Sequence, residues 1–473
     1  MRARILIPFL LGLVAVKLAL DHVADVDLFW HLRLGLDALE KGGLATTVDY
    51  AWTVPGAPYL ANDWLAQVVL GFAFELGGLA AVGVLKALLA GAVVLLVYFA
   101  ALSRAEGHAP AAGLAAAVML FVAAANFIAR PLLFGQLALA LEILLLERAF
   151  RGGRWAPWAM PLVFGFWINS HGSWPAGFGP LAVAAAAVLL PWKRGRLATR
   201  PVLEAARRPV LLACGLGPLG LLLNPLGTAM LLRPFRLMGK QAEMAIIDEW
   251  APVPWNDPSA WILVGAALLV VFASLRSRRP LPSWDLGLIG LTFAMALSAS
   301  RHLSIFALIA APPLAELLAG RMQPKMFRRE GSNAVVAAVA GLALGAIGLS
   351  RLATVGDEAR ALLPIAAVER LHQSGLAQRR GFHYFEWGGY LVFEKIPSFI
   401  DGRLEPFLAI DLFSEYVRIE REGDAEAIEG REICWALLKP GTPLAGALAG
   451  RAGWEKGFED EGSVLWLREG CGR

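Results

Sequence analysis

Four residues between positions 25 and 63 have the types and spacing for proton transfer or cation binding: Asp25, Asp27, His31 and Asp63. Asp25 and Asp27 form a D-x-D pair. Asp27 and His31 stand four apart, so a helix would stack them on one face. Two carboxylates and an imidazole at a water–lipid boundary suit a general base. The same set, with Asp63, suits a hard divalent metal such as magnesium or manganese, which takes carboxylate oxygens. The plainer reading is helix capping. Asp27 precedes "LFWHLRLGLDALEK" and Asp63 precedes "WLAQVV", and aspartate is favoured where a helix begins because its oxygens satisfy free backbone N–H groups.

Further clusters recur along the chain. "RPLLFGQ" carries Arg130 and Gln136, "WINSHGSW" carries Asn169 and His171, "IIDEW" carries Asp248 and Glu249, and "SRHLSIFAL" carries Arg301 and His302. An arginine offers a planar fork that matches phosphate. Adjacent cations at membrane depth are costly unless an anion pairs with them, which makes Arg130, Arg301 and His302 candidates for a lipid phosphate. Gln136, Asn169, His171, Asp248, Glu249 and Trp387 are candidates for the rest of a substrate site.

The elements that must position these residues are membrane helices. Of the 473 residues, 57% are hydrophobic and 17% charged, against about 25% charged in a soluble domain. About eleven segments are apolar enough to span, near 5–20, 79–101, 110–128, 131–150, 157–170, 174–192, 209–226, 259–275, 284–299, 303–320 and 333–352. The first twenty residues have no small-residue cleavage site before Asp21 and read as a retained span. With the N-terminus inside, the inner loops are "MRAR", "SRAEGH", "RGGR", "WKRGRLATRPVLEAARRP", "LRSRRP" and "GRMQPKMFRREGS". These are dense in arginine and lysine, as the positive-inside rule requires. The net charge of +4 therefore reports topology rather than nucleic-acid binding. Every candidate cluster falls on the outer side, and one shared site there is the economical explanation.

The expected fold is thus a polytopic α-helical membrane protein with a small C-terminal α/β domain outside the cytosol. Residues 1–352 form the membrane part. Its first outer loop, 21–78, holds two interfacial helices, and 227–258 is a second long outer loop. Residues 353–473 form the small domain, where "GGYLVFEKIPSFIDGR" and "SVLWLRE" read as strand-like. Cys434 and Cys471 are free to pair if both lie outside the cytosol, while Cys214 has no partner in any metal or redox spacing.

Residues 25–31 ("DVDLFWH"), the two interfacial helices, "NDWL" at 62–65, the "RPLLFGQ", "WINSHGSW" and "SRHLSIFAL" motifs, and "FEWGGYL…FIDGR" at 385–403 together resemble the GT-C superfamily of polyprenyl-phosphate-dependent glycosyltransferases, distantly like the oligosaccharyltransferases and protein O-mannosyltransferases. The resemblance implies an inverting sugar transfer at the outer face of a bacterial plasma membrane. The donor is a polyprenyl-phosphate-linked sugar and the acceptor a glycan, lipid or protein. By position Asp25 or Asp27 is the base and Asp63 a second acid. "WGGY" lacks the acid and second tryptophan of the oligosaccharyltransferase WWDYG segment, so transfer to peptide asparagine is not implied. The rival readings are a lipid or polysaccharide transporter or flippase and a non-catalytic protein that binds lipid-linked glycans. A transporter needs ionisable groups deep in its spans, for which Lys86, Glu142 and Glu316 are the candidates.

Overall fold

The computed structural model describes residues 3–237, 248–322 and 330–471. The chain divides into two compact units, Met1–Val23 with Val82–Ala353, and Ala24–Ala81 with Thr354–Arg473. The first outer loop, grouped by sequence with the membrane part, therefore packs with the C-terminal residues.

The first unit is helical. Among the described residues five helices are long and apolar enough to cross a membrane: Trp64–Arg104, Ala109–Asn126, Pro258–Arg276, Ser300–Ala319 and Ala334–Leu362. Trp174–Leu189 and Ser283–Ser298 are shorter apolar helices. The run Trp64–Arg104 is broken at Gly77 and Gly78, and Gly78 takes φ +61°, a left-handed conformation that glycine adopts without a Cβ clash. This break replaces the loop expected between an interfacial helix at 63 and a span at 79. Ala109–Ala123 and Leu303–Ala319 pack together, and their many alanines let the backbones approach closely. The nitrogen Nδ1 of His108 caps the former by accepting from Ala111 N–H.

A buried ion cluster ties four helices of this unit. Arg104 donates to Asp285 at 2.6 Å and Glu316 at 2.7 Å and lies 3.5 Å from Glu147. Arg200 forks onto Glu147 at 2.7 and 2.6 Å. These charges stabilise the bundle only as a set, because removing one partner would leave another buried and uncompensated.

The second unit is α/β. A four-stranded sheet runs in the order Gly381–His383, Trp435–Leu438, Val464–Arg468, Trp454–Glu459; the first pair is parallel and the others antiparallel. Cys434 and Cys471 are bonded. The final "SVLWLRE" is the strand expected. "GGYLVFEKIPSFIDGR" is not: Gly388–Phe393 is helical and 401–403 is a turn. The reason lies in packing. A Cβ on Gly389 would sit 2.7 Å from Val26 O, and one on Gly388 would overlap Ile400 O. Gly389 thus lets this short helix lie directly against helix Leu28–Lys41, and Gly388 lets it pass the segment at Ile400.

Helix Leu28–Lys41 is itself more buried than its one-sided apolar pattern suggested. His31, Arg33 and Asp37 are buried along with Leu28, Phe29, Leu32 and Leu34. The polar ones are satisfied locally. Arg33 Nε donates to Asp37 at 2.7 Å, and Tyr50 Oη donates to the other Asp37 oxygen at 2.6 Å. Each buried Leu or Phe contributes about 1.5–3 kcal/mol, so the apolar face anchors this helix and the polar pairs keep its other face from opposing burial.

Candidate functional site

The candidate residues divide between the units: Asp25, Asp27, His31, Asp63 and Trp387 in the second, the others in the first. In the second unit Asp27 occupies the N-cap position of helix Leu28–Lys41, yet its side chain makes no capping hydrogen bond. Asp25 turns inward instead, its Oδ1 accepting from Asp27 N–H at 3.0 Å. The Asp27 carboxylate and the Trp30 indole meet the "IDGR" turn. A Cβ on Gly402 would lie 2.5 Å from Trp30 Nε1 and 2.7 Å from Asp27 Oδ1. Only glycine leaves both groups their places. Trp30 Nε1 is buried with no hydrogen-bond partner among the described residues.

The turn carrying Gly402 is held rigidly. Asp401 and Arg403 have fully buried side chains and pair bidentately, Nε to Oδ1 at 2.7 Å and Nη2 to Oδ2 at 2.6 Å. Ser398 Oγ adds a bond to Oδ2 at 3.0 Å and Arg403 N–H one to Oδ1 at 3.1 Å. His383 braces the same segment: its Nε2 accepts from Phe399 N–H at 3.0 Å and its Nδ1 donates to Tyr384 O at 2.9 Å. Burial pushes the His383 pKa down to about 4, outweighing the Tyr384 bond and the nearby Asp401 charge. Trp387 is buried and packs edge-on against Tyr384, so here it supports the fold of the turn.

His31 is buried, stacks on Trp30 and pairs through Nδ1 with Gln67 at 3.2 Å. Asp63 Oδ1 accepts from Asn62 at 2.6 Å. Among the described residues no three His, Cys, Asp or Glu side chains are placed to hold one metal ion. The four residues expected to bind a divalent cation therefore do not assemble into a multi-donor cage.

In the first unit a second polar cluster forms. Arg130 Nη1 lies 3.5 Å from one Glu249 oxygen, and Arg301 Nη1 lies 3.5 Å from the other. The Arg301 guanidinium stacks 4.1 Å over Trp250. Ser300 ties the two segments together, donating N–H to Ala251 O at 3.0 Å and Oγ–H to Glu249 O at 3.2 Å. His171 is buried close by. Burial first, then the charges of Arg301 and Arg233, push its pKa down to about 3. Its Nδ1 accepts from Ser173 N–H at 3.2 Å, which leaves the ring proton on Nε2 as a donor. Gly135, in "RPLLFGQ", makes room for it: a Cβ there would meet Ser173 Oγ at 2.6 Å and His171 Nδ1 at 2.9 Å.

The remaining candidates have structural ties. Asn169 donates to Gly165 O at 2.7 Å and Leu223 O at 2.8 Å. Gln136 donates to Asn126 O at 3.0 Å, and its own oxygen is buried without a partner among the described residues. His302 Nδ1 meets Met295 O at 3.1 Å. The side chain of Asp248 lies outside the described residues.

No protein-family model matches the chain, and no curated protein matches it. Solved structures do. The oligosaccharyltransferase AglB from Archaeoglobus fulgidus, in complex with an inhibitory peptide and a dolichol-phosphate, aligns with a TM-score of 0.54 at 13% identity, covering 91% of this chain and 69% of that one. ArnT from Cupriavidus metallidurans bound to undecaprenyl phosphate aligns with a TM-score of 0.51 at 14% identity, covering 96% of each chain. The chain shares its fold with these two proteins, which are GT-C glycosyltransferases. At these identities the likeness is one of fold, and it extends over nearly the whole chain. It agrees with the GT-C resemblance carried by the motifs. AglB has also been solved in complex with zinc and sulfate, with a TM-score of 0.50 at 14% identity, covering 98% of this chain and 73% of that one.

Within the GT-C fold, several contributors escape a reading by residue type. Gly402, Gly389, Trp30 and the Asp401–Arg403 pair shape the Asp27 environment, and Gly135, Ser173 and Arg233 shape that of His171. The glycine pair in "WGGY" and the D-G-R run were visible signals. What they approach is decided by contacts between segments more than three hundred residues apart.

Proposed function

We propose that this chain is an integral membrane glycosyltransferase that moves a sugar from a polyprenyl-phosphate-linked donor to an acceptor at the outer face, with inversion. The observation that carries the reading is Asp27. It stands at a helix start, forms no cap, and is met by a turn whose glycine leaves room for its carboxylate, in a chain with the fold of two lipid-phosphate-bound transferases. In this reading Asp27, or Asp25 beside it, takes the proton of the acceptor hydroxyl as its oxygen attacks the anomeric carbon. The bond from that carbon to the phosphate oxygen breaks, and the lipid phosphate leaves with the electron pair. Arg130 and Arg301, with neutral His171 as a hydrogen-bond donor, stabilise the charge gathering on it. Asp63 is the second acid of this reading.

The topology belongs to the same proposal. About eleven crossings, arginine-rich loops inside, and residues 21–78 and 353–473 outside put the candidate motifs on one side of a bacterial plasma membrane. The Cys434–Cys471 bond supports an oxidising location for the small domain. A transporter reading draws support from Glu142 alone, whose two buried oxygens have no hydrogen-bond partner among the described residues. Lys86 donates to His22 O and Glu316 accepts from Arg104, so both are used structurally.

The test is transfer from a polyprenyl-linked sugar in membranes carrying Asp25→Asn or Asp27→Asn. A positioned general base contributes about a hundred- to ten-thousand-fold, so at least one variant should lose activity on that scale while inserting normally. Full activity in both would refute the catalytic reading.

A further inference from the structure

Two arginines from separate segments, the bend before helix Leu132–Phe150 and the short turn Ser300–His302, converge on one carboxylate in the first unit. Arg130 approaches one oxygen of Glu249 and Arg301 the other, each at 3.5 Å. Both guanidiniums are largely shielded, with side-chain exposures of 18% and 20%, and that of Glu249 is 35%. The arrangement is that of an oxyanion clamped between two cations. Its separations are long for charge-assisted bonds, which close to about 2.7–2.9 Å where the partners fit each other. Glu249 is thus held loosely. Its backbone position is set independently by Ser300, which bonds to Glu249 O and Ala251 O, and Trp250 stacks under Arg301 on the neighbouring side.

We propose that Glu249 is an intramolecular counter-anion that occupies the seat of a phosphate between Arg130 and Arg301 and is displaced when that phosphate binds. A carboxylate offers two oxygens in one plane. A phosphate offers three or more around a tetrahedron and more charge, so it can satisfy both guanidiniums and the nearby His171 Nε2–H together. Two cations converging on one point repel each other, and an anion between them offsets part of that repulsion. Glu249 relieves that repulsion in the empty protein and lowers the affinity of any incoming anion by the work of displacing it. The seat would therefore stay closed to weak anions and open to a phosphate that competes well. This inference rests on the proposed function, in which Arg130 and Arg301 face the donor phosphate.

The test measures equilibrium binding of undecaprenyl phosphate, and separately of inorganic phosphate, to the full chain in detergent. The proteins are wild type, Glu249→Gln, Arg301→Met, Arg130→Met and the double variant Glu249→Gln/Arg301→Met. Glu249→Gln keeps the size of the side chain while removing its charge and one of its two acceptor oxygens, and a melt checks that it folds. The expected result is binding about ten-fold tighter in Glu249→Gln, equivalent to about 1.4 kcal/mol. The gain should shrink in the double variant because one of the two cations that Glu249 and the phosphate compete for is gone. A gain for the lipid alone assigns the seat to a lipid headgroup, and a gain for both ligands assigns it to phosphate itself. Unchanged or weaker binding in Glu249→Gln, with weaker binding in the arginine variants, would overturn the counter-anion while leaving the phosphate site standing. Unaltered binding in the arginine variants would overturn both.

Discussion

Replacing Asp401 by alanine should damage the second unit more than any surface change. The Asp401 and Arg403 side chains are 0% exposed and joined by two bonds of 2.7 and 2.6 Å. Asp401 also accepts from Ser398 Oγ and Arg403 N–H. The Asp401→Ala variant leaves the Arg403 guanidinium buried with its main counter-charge gone, and breaking such a pair from one side costs about 3–5 kcal/mol. For a unit of this size each kcal/mol lowers the melting temperature by roughly 2–4 °C, so the fall should lie between roughly 6 and 20 °C. The assay is thermal unfolding of the detergent-solubilised chain, with protease sensitivity of residues 354–471 as a second probe. Asp401→Leu/Arg403→Met, which removes both charges and fills the space, should recover most of the loss, because a paired buried charge adds little over a packed apolar one. Gly402 lies between the two partners and against Asp27, so under the proposed function Asp401→Ala should also lower transfer activity at temperatures where the protein is still folded. An Asp401→Ala melt within 2 °C of wild type, or a double variant no better than the single, would refute the account.

Two further outcomes follow from the same unit. Because the folded His383 pKa is lowered to about 4 from 6.5, the unfolded chain takes up a proton that the folded chain refuses. Its contribution is complete above about pH 6.5 and is lost as pH falls toward 4, a difference of about 3 kcal/mol; melts at pH 7.5 and 5 should fall more steeply for wild type than for His383→Gln. Cys434→Ser opens a loop with a sequence separation of 37 residues and should cost about 4 kcal/mol in the chain-entropy account, seen as a lower melt that reductant no longer changes.

Much of this protein was legible in residue order alone. Long apolar runs, arginine-rich loops and a polar C-terminal stretch determine a membrane helix bundle with an appended α/β domain, because burial of apolar surface and the cost of placing charge in lipid act on local composition. The motifs around Asp27, Arg130, His171 and Arg301 were also visible, since unusual clusters of ionisable groups stand out in an apolar chain. Where the elements go was not visible. "GGYLVF" has the alternation and apolarity of a strand and becomes a helix, because Gly388 and Gly389 must pass against Ile400 and Val26. Asp27 read either as a cap or as a base; its side chain makes no capping bond and lies against the turn at Gly402, almost four hundred residues on. Arg130 and Arg301 were both candidates for a phosphate, but that they share Glu249 was not visible. Local sequence decides which segments are apolar and which carry charge. Only the tertiary structure decides which charges meet, because close approach depends on where distant glycines leave room and which buried pairs neutralise each other.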